Sequence, residues 1–555
     1  MSGRIRVLGI VLLASTLTGA LAACSSSSKS TTPSASSTTK SAVTAPPTCT
    51  PGPIAKPVVT KVAGVASDWD LTSFEGTKIR MHWFPAPDSS AGHPLPTVLM
   101  GPGWGQAGDT NTSPANAGGA GVVGATSIAS LHDAQYNVLT WDPRGFGSSA
   151  GTVEVDSAQF EARDVMKIID WISTQPNATV DGPGDPRIGM VGGSYGGGIQ
   201  IVTAAIDCRV DAIVPEIAWH SLTTSLYKAD TPKNGWASIL IAATSGRKVD
   251  PHIPHAYKSA VTSGTINADD RAFFGSRGPG SLVGRIKIPT LIVQGTVDNL
   301  FTLDEGIENY RILRDNGVPT AMMWFCGGHG LCLTDPGSPT RIQTALINWL
   351  DRYVKKDTTV NTGALFDFID QNGTRYTTDD YPVATGAPVT ASGRGILRLI
   401  ADGGSGPVHP AANVKDILAG IAGGITPARA TNAVEMAVTF DKAAVVVGAP
   451  ELKLTYHGTV VSGVNPTRVF AQLVDESSGI VIGNQITPIK VTLDGQDHSV
   501  TVPLEAIAFT GKAGAHVILQ IVATTTAYAQ PRLNGTVSFN AIHLSLPTAA
   551  DLLAK

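Results

Sequence analysis

Arg187-Ile188-Gly189-Met190-Val191-Gly192-Gly193-Ser194-Tyr195-Gly196-Gly197-Gly198-Ile199-Gln200-Ile201-Val202 decides the fold. It opens as an apolar run of strand length, passes straight through Gly-Gly-Ser-Tyr-Gly, and continues as a helix whose first residues are small enough to pack close. A serine caught between a buried strand and a helix sits on a strained turn that lifts its Oγ clear of the sheet. The pattern Gly-x-Ser-x-Gly is a weak signal alone, and it recurs at Gly147-Ser148-Ser149-Ala150-Gly151. There the serine lies well past the strand ending at Trp141, and Thr-Val-Glu-Val follows in place of a helix. Ser149 therefore reads as a loop serine and Ser194 as a nucleophile.

Outward from this elbow, from Val58 to about Val354, short apolar runs alternate with helical stretches, which predicts a largely parallel sheet covered by helices. The expected strands are Lys78 to Phe84, Thr97 to Met100, Asn137 to Trp141, Arg187 to Val191, Ala212 to Pro215, Pro289 to Gln294 and Ala321 to Phe325. Asp156 is expected to cap a helix that places Phe160, Val165, Ile168, Ile169 and Ile172 on one face. Thr340 to Tyr353 has the same periodicity through Ile342, Leu346, Trp349 and Leu350. Between Glu216 and Ile286 the alternation breaks down, with no clean strand. These readings predict an α/β fold: an α/β-hydrolase domain over 56–356 with a helical cap inserted at 216–286. Beyond Val360 the runs Glu451 to Tyr456, Thr467 to Val474, Thr487 to Leu493, Ser499 to Pro503, Ala515 to Ala523 and Gly535 to Leu546 have strand composition, predicting a β-sandwich over 360–547.

A serine hydroxyl needs a base within reach to take its proton, and in this fold acid and base follow the serine in the order Ser, Asp, His. Asp298, just past the apolar run Leu291 to Gln294, fits the acid. Asp304 is its rival but falls at a helix start, where a carboxylate caps. His329, in Phe325-Cys326-Gly327-Gly328-His329-Gly330, follows a strand and is flanked by glycines that permit a sharp turn. His220, His252 and His255 belong to the insertion, where substrate contact or surface placement is expected. The oxyanion hole is expected to use the amide of Tyr195 and a second from Gly101-Pro102-Gly103-Trp104-Gly105, at Trp104 or Gly105. Asp142-Pro143-Arg144-Gly145-Phe146-Gly147 reads as a structural strand end.

The chain has 555 residues with 44 acidic against 40 basic side chains and no long run of either sign, so no nucleic-acid partner is expected. Neither HExxH nor paired CxxC occurs, and no metal or other cofactor is expected. The N-terminus carries Arg4 and Arg6, an apolar run from Val7 to Leu13, and Leu21-Ala22-Ala23-Cys24. This reads as an export signal over 1–23 with Cys24 as the lipid-modified first mature residue, anchored to the outer face of a bacterial cell membrane. Residues 24–55, nearly all Ser, Thr, Ala, Pro and Lys, read as a disordered tether. Outside the cytoplasm Cys326 and Cys332 are close enough to staple the loop carrying His329.

GGSYGG, QGTVDNLF and GGHG in this order, the DPRGFGSS loop, and a trailing β-domain containing Val469-Phe470-Ala471-Gln472-Leu473-Val474-Asp475 and Pro503-Leu504-Glu505-Ala506 resemble the X-prolyl dipeptidyl peptidase and cocaine esterase family. The resemblance implies Ser194, Asp298 and His329 as the triad, a cap at Glu216 to Ile286, and a C-terminal jelly roll. Family members often place a tyrosine after the third strand; this chain offers Trp104, so a backbone amide would have to serve. For a peptide with proline second, Glu216 would take the free amino terminus, and Trp219 and Trp236 would wall the proline. An esterase or amidase of small acyl compounds would need the wall without the acid. The reading from another class is a surface lipoprotein that keeps the fold as a non-catalytic binding module.

Overall fold

The computed structural model describes residues 56–113, 126–338, 340–407, 422–550 and 552. The expected export signal, Cys24 and tether lie outside the described residues. No helix among the described residues is long and apolar enough to cross a membrane.

Among the described residues eleven strands form one sheet, in the spatial order 58–61, 68–72, 78–84, 137–141, 97–100, 188–193, 210–216, 290–295, 320–325, 366–369 and 375–378. Neighbours from 137–141 through 366–369 run parallel. The strands before 137–141 and the last strand pair antiparallel. The sheet is thus mixed, and the expectation of a largely parallel sheet holds only for its centre. The central strands Thr97–Met100, Asn137–Trp141, Thr290–Gly295 and Thr320–Phe325 are buried at every position. Parallel strands covered on both faces have no solvent side, which is why they read as unbroken apolar runs. One face is covered by the helices Glu161–Ile172, Tyr195–Ile206 and Leu303–Asp315, the other by Ile128–Asp133 and Arg341–Tyr353.

Two expectations need correction. The helix after Asp156 begins at Glu161, and Asp156 does not cap it: the N-cap position is Phe160, with no side-chain cap. Glu161, in the first turn, instead ties down the loop before the helix, accepting the amides of Glu154 (2.7 Å) and Ser157 (2.9 Å). Asp156 is instead fully buried at φ 48°, and burial pushes its pKa well up. The domain boundary at 360 is also too early. Phe366–Ile369 and Arg375–Thr378 extend the main sheet by pairing with Thr320–Phe325 and with each other, so the domain built on that sheet runs to residue 378.

The insertion folds as the helices Leu222–Leu226, Asn234–Ala242, His252–Ser263 and Ala268–Gly275, a helical cap as expected. Beyond residue 388, two four-stranded antiparallel sheets share one apolar core: 389–399, 535–546, 451–460 and 498–503 in one, and 433–439, 516–522, 468–475 and 487–490 in the other. A strand pair, Ala444–Gly448 with Ile507–Gly511, leaves the sandwich and buries Val445, Val447 and Ala508 against the main-sheet core. Apolar burial of this kind welds the two domains along a common surface.

Candidate active site

Ile188–Gly193, Val210–Glu216, Thr290–Gly295 and Thr320–Phe325 are neighbours in the parallel centre, with Gly193 and Val293 both opposite Glu216 and Gly295 opposite Phe325. Whatever follows these strand ends therefore gathers at one edge of the sheet.

Ser194 follows the first of them. Its backbone is at φ 56° and ψ −116°, a region that costs a non-glycine residue strain and that the surroundings must hold. They do so with three backbone bonds of 2.9 Å: its amide donates to the Glu216 carbonyl, and its own carbonyl accepts from Gly197 and Gly198. The helix Tyr195–Ile206 then starts against the Gly101 loop. A Cβ on Gly196 would stand 2.2 Å from the Gly101 carbonyl oxygen, so only glycine permits this approach.

Asp298, fully buried, lies three residues past its strand, and His329 four past the next. Asp298 Oδ1 accepts the amides of Leu300 and Phe301, both at 2.9 Å. Its Oδ2 stands 2.7 Å from His329 Nδ1 and accepts the His329 amide at 3.1 Å. The carboxylate keeps the ring proton on Nδ1, which leaves Nε2 with its lone pair free to act as a base. Nε2 is buried and makes no hydrogen bond, to Ser194 or to any other described residue. Phe301 ties base to nucleophile: its ring stands edge-on to His329 with centroids 5.2 Å apart, and it lines the cavity that holds Ser194. The imidazole loop needs its glycines, since a Cβ on Gly328 (φ 124°) would fall 2.6 Å from Asp298 Cβ. Cys326 and Cys332 form a disulfide across this loop. Asp304, the rival acid, sits in the first turn of Leu303–Asp315 and reaches Lys228 at 3.4 Å rather than the histidine.

Tyr195 is the first residue of its helix, where an amide has no intrahelical acceptor and points at the elbow. Trp104 rests edge-to-face on Tyr195 and on Phe146, both at 5.1 Å. Its indole N–H donates to the Leu240 carbonyl at 2.9 Å, so of its two donors only the backbone amide is left for an oxyanion. Gly105 turns at φ 79° against the Ala243 carbonyl at the end of a cap helix. Ser149 does what a loop serine does: its hydroxyl donates to the Asp142 carbonyl and accepts the Arg80 amide at 2.8 Å. The Asp142 carboxylate in turn gathers the amides of Gly108 and Ser148 and His82 Nε2, bracing the loop that follows Gly101.

Ser194 opens into a cavity of about 970 Å³, mouth included, roofed by the cap helices. Its walls are Trp219, Leu226, Leu240, Ile253, Phe274 and similar side chains; Lys233 is the single charged residue among those that line it. Of the three residues expected to bind substrate, the structure brings only Trp219 to this space. Glu216 is absent from the wall; it is buried, without a hydrogen-bond partner for its carboxyl, and burial pushes its pKa up to about 8. Trp236 lies behind the base, edge-on to His329 at 5.7 Å, with its indole N–H on Asn299 at 2.9 Å. Strand alternation explains Glu216: with Ala212 and Val214 buried on the sheet face away from the elbow helix, position 216 falls on that same face. In the cap, His220 bonds Asn309, and His252 and His255 both bond Asp270; none of the three lines the cavity.

Sequence reasoning missed Lys233, Asn299 and, from the C-terminal domain, Asn484, Gln485 and Glu505. Lys233 Nζ donates to the Leu300 carbonyl at 2.9 Å, while Glu505 accepts from Thr302 at 2.9 Å and pairs with Lys228 at 2.8 Å. Nothing local marks residues whose side-chain partners lie at least 63 positions away.

The fold is that of an α/β-hydrolase, and Ser194, Asp298 and His329 follow its strand ends in the order of a serine hydrolase triad. The family model "X-Pro dipeptidyl-peptidase (S15 family)" matches residues 75–330, a stretch that contains all three side chains. A CocE/NonD family hydrolase from Staphylococcus aureus superposes with TM-score 0.62 at 14% identity, covering 89% of this chain and 94% of that one. A selenomethionine-labelled alpha-amino acid ester hydrolase gives TM-score 0.66 at 12% identity, covering 92% and 100%. At these identities the likeness is one of fold. Acylamino-acid-releasing enzyme 1 of Oryza sativa subsp. japonica is 24% identical over 204 residues, 36% of this chain. The matches span only 29% and 24% of the length of the curated relatives.

Proposed function

We propose that this chain hydrolyses ester or amide bonds of an apolar acyl group through an acyl-enzyme on Ser194. The observation that carries the reading is a nucleophile opening into an apolar cavity with no carboxylate in its wall. Ser194 Oγ attacks the carbonyl carbon as its proton passes to His329 Nε2, and Asp298 holds the imidazole for that transfer. The tetrahedral oxyanion is received by the amides of Tyr195 and of Trp104 or Gly105; losing one such donor costs about 3 kcal/mol of transition-state stabilisation. The leaving alcohol or amine takes the proton back from Nε2, and water then releases the acid by the same route. A free ammonium, as on a dipeptide amino terminus, would enter this cavity with Lys233 as the only charged neighbour. Burying an unpaired charge there is costly.

The second reading, an X-Pro dipeptidyl peptidase, is favoured by the family match over 75–330. One measurement tests what both readings share, and a second separates them. A fluorophosphonate probe should label the wild type and not Ser194→Ala. Hexanoyl p-nitrophenyl ester should then be turned over at least tenfold faster than Gly-Pro p-nitroanilide; the reverse order favours the peptidase.

We also propose that the chain is exported and held at the outer face of a bacterial membrane by acyl chains on Cys24, on the strength of Arg4, Arg6 and Leu21-Ala22-Ala23-Cys24. Labelling with an alkynyl fatty acid, lost in Cys24→Ala together with membrane retention, tests it.

A further inference from the structure

The loops that carry Asp298 and His329 are both tied, from outside the catalytic domain, to one turn. Asp298 and Leu331 each have a main-chain carbonyl that the catalytic domain leaves for an external donor. Gln485 Nε2 donates to the Asp298 carbonyl at 2.7 Å, and Asn484 Nδ2 donates to the Leu331 carbonyl at 2.7 Å. The two donors are consecutive residues of the turn Val481–Gln485 between strands 468–475 and 487–490. The turn itself is firmly set. Gly483 (φ 67°) and Asn484 (φ 53°) take left-handed backbone in succession, the Gly483 amide donates to Gln371 Oε1, and a Cβ on Gly483 would already touch the Thr296 carbonyl at 3.1 Å. Asn484 and Gln485 are both buried.

We propose that Asn484 and Gln485 are positioning residues for the acid–base pair, so that the C-terminal domain is part of the active site rather than an appendage to it. The inference rests on the serine hydrolase reading above. The loops Gly295–Asp298 and Cys326–Cys332 hold four glycines, Gly295, Gly327, Gly328 and Gly330, and glycine backbone is the most permissive there is. Loops so permissive keep a fixed spacing only if something spans them. The Asp298–His329 hydrogen bond spans them on the inside; the Asn484–Gln485 pair spans them on the outside, with a spacing set by one peptide unit. A displacement of about 1 Å in a catalytic group costs on the order of a hundredfold in rate, so a bracket of this kind acts on turnover.

The test uses the full-length protein and a p-nitrophenyl ester. Gln485→Met keeps the length and removes the donor; Asn484→Gly keeps the left-handed backbone and removes the donor. Gln472→Met, in the buried Gln472–Gln520 pair of the same sandwich, is the control for mere loosening of the domain. The expectation is a tenfold or greater fall in kcat for each bracket variant, with KM within about threefold and an unchanged fold by circular dichroism. The acid limb of the pH profile of kcat/KM should also move, a readout that a merely structural loss would leave in place. Gln472→Met should lower the unfolding temperature and leave kcat and the limb in place. An unmoved limb in both folded bracket variants, or a fall in kcat matched by Gln472→Met, overturns the proposal. Absence of fluorophosphonate labelling in the wild type would instead remove the hydrolase reading beneath it.

Discussion

Asp298 Oδ2 lies 2.7 Å from His329 Nδ1, and its other oxygen is held by the amides of Leu300 and Phe301. The carboxylate is thus fixed by its own loop before the histidine reaches it. Asp298→Asn keeps the shape but can present an amide N–H to Nδ1 and so stabilise the wrong tautomer. Its kcat should fall by about 10⁴-fold. Asp304→Asn, which disturbs the cluster that Asp304 forms with Lys228 and Glu505 but no contact to the histidine, should stay within a few-fold of wild type on the same substrate.

The cavity makes a prediction about chain length. Ala237 lines it from the cap helix Asn234–Ala242 and is only half-buried, so a larger side chain there projects into the space rather than into the protein core. Ala237→Phe should lower kcat/KM for an octanoyl ester at least tenfold while the acetyl ester changes less than threefold. Equal losses on both substrates would mean that the acyl group does not enter this cavity.

The disulfide Cys326–Cys332 closes the five-residue loop that carries His329. A Cys326→Ser/Cys332→Ser protein should lose turnover, by about tenfold, more than substrate binding, since the restraint acts on the base and not on the apolar wall. Dithiothreitol should do to the wild type what it cannot do to the double variant.

Buried carboxyls set the direction of the pH dependence of stability. Burial pushes Glu216 up to about 8 and Glu161 to about 7, although the amides of Glu154 and Ser157 partly offset it at Glu161. Groups raised in the folded state bind more protons there than in the unfolded chain. Their contribution is complete below the unfolded carboxylate pKa of about 4.5 and is lost as pH rises through 7 to 8. The unfolding midpoint should therefore fall between pH 5.5 and pH 8.5. Glu216→Gln, neutral at every pH, should flatten that slope; a slope unchanged in the variant would assign it elsewhere.

How much of this was legible in the sequence follows from where each signal is stored. Strands buried on both faces are written locally, and Lys78–Phe84, Thr97–Met100 and Asn137–Trp141 are found at their expected bounds. The edge strands Val58–Lys61 and Arg375–Thr378 were not legible, because their exposed positions dilute the apolar pattern that reports a strand. Ser194, Asp298 and His329 each sit at the end of such a strand with small or glycine neighbours, which is what singled them out. Glu216 misled for the opposite reason. Its place at a strand end was visible, but which face its side chain took depended on the pleat. The bracket from Asn484 and Gln485 had no local signature at all: side-chain amides on a turn look like any other turn.

The bracket also limits how such a protein can be recombined. A chimera that joins this catalytic half to the β-domain of a relative would inherit two loops whose outer carbonyls expect donors one residue apart. Crossovers between residues 380 and 480 should give active proteins only when the incoming turn carries that amide pair, whatever the overall similarity of the exchanged halves.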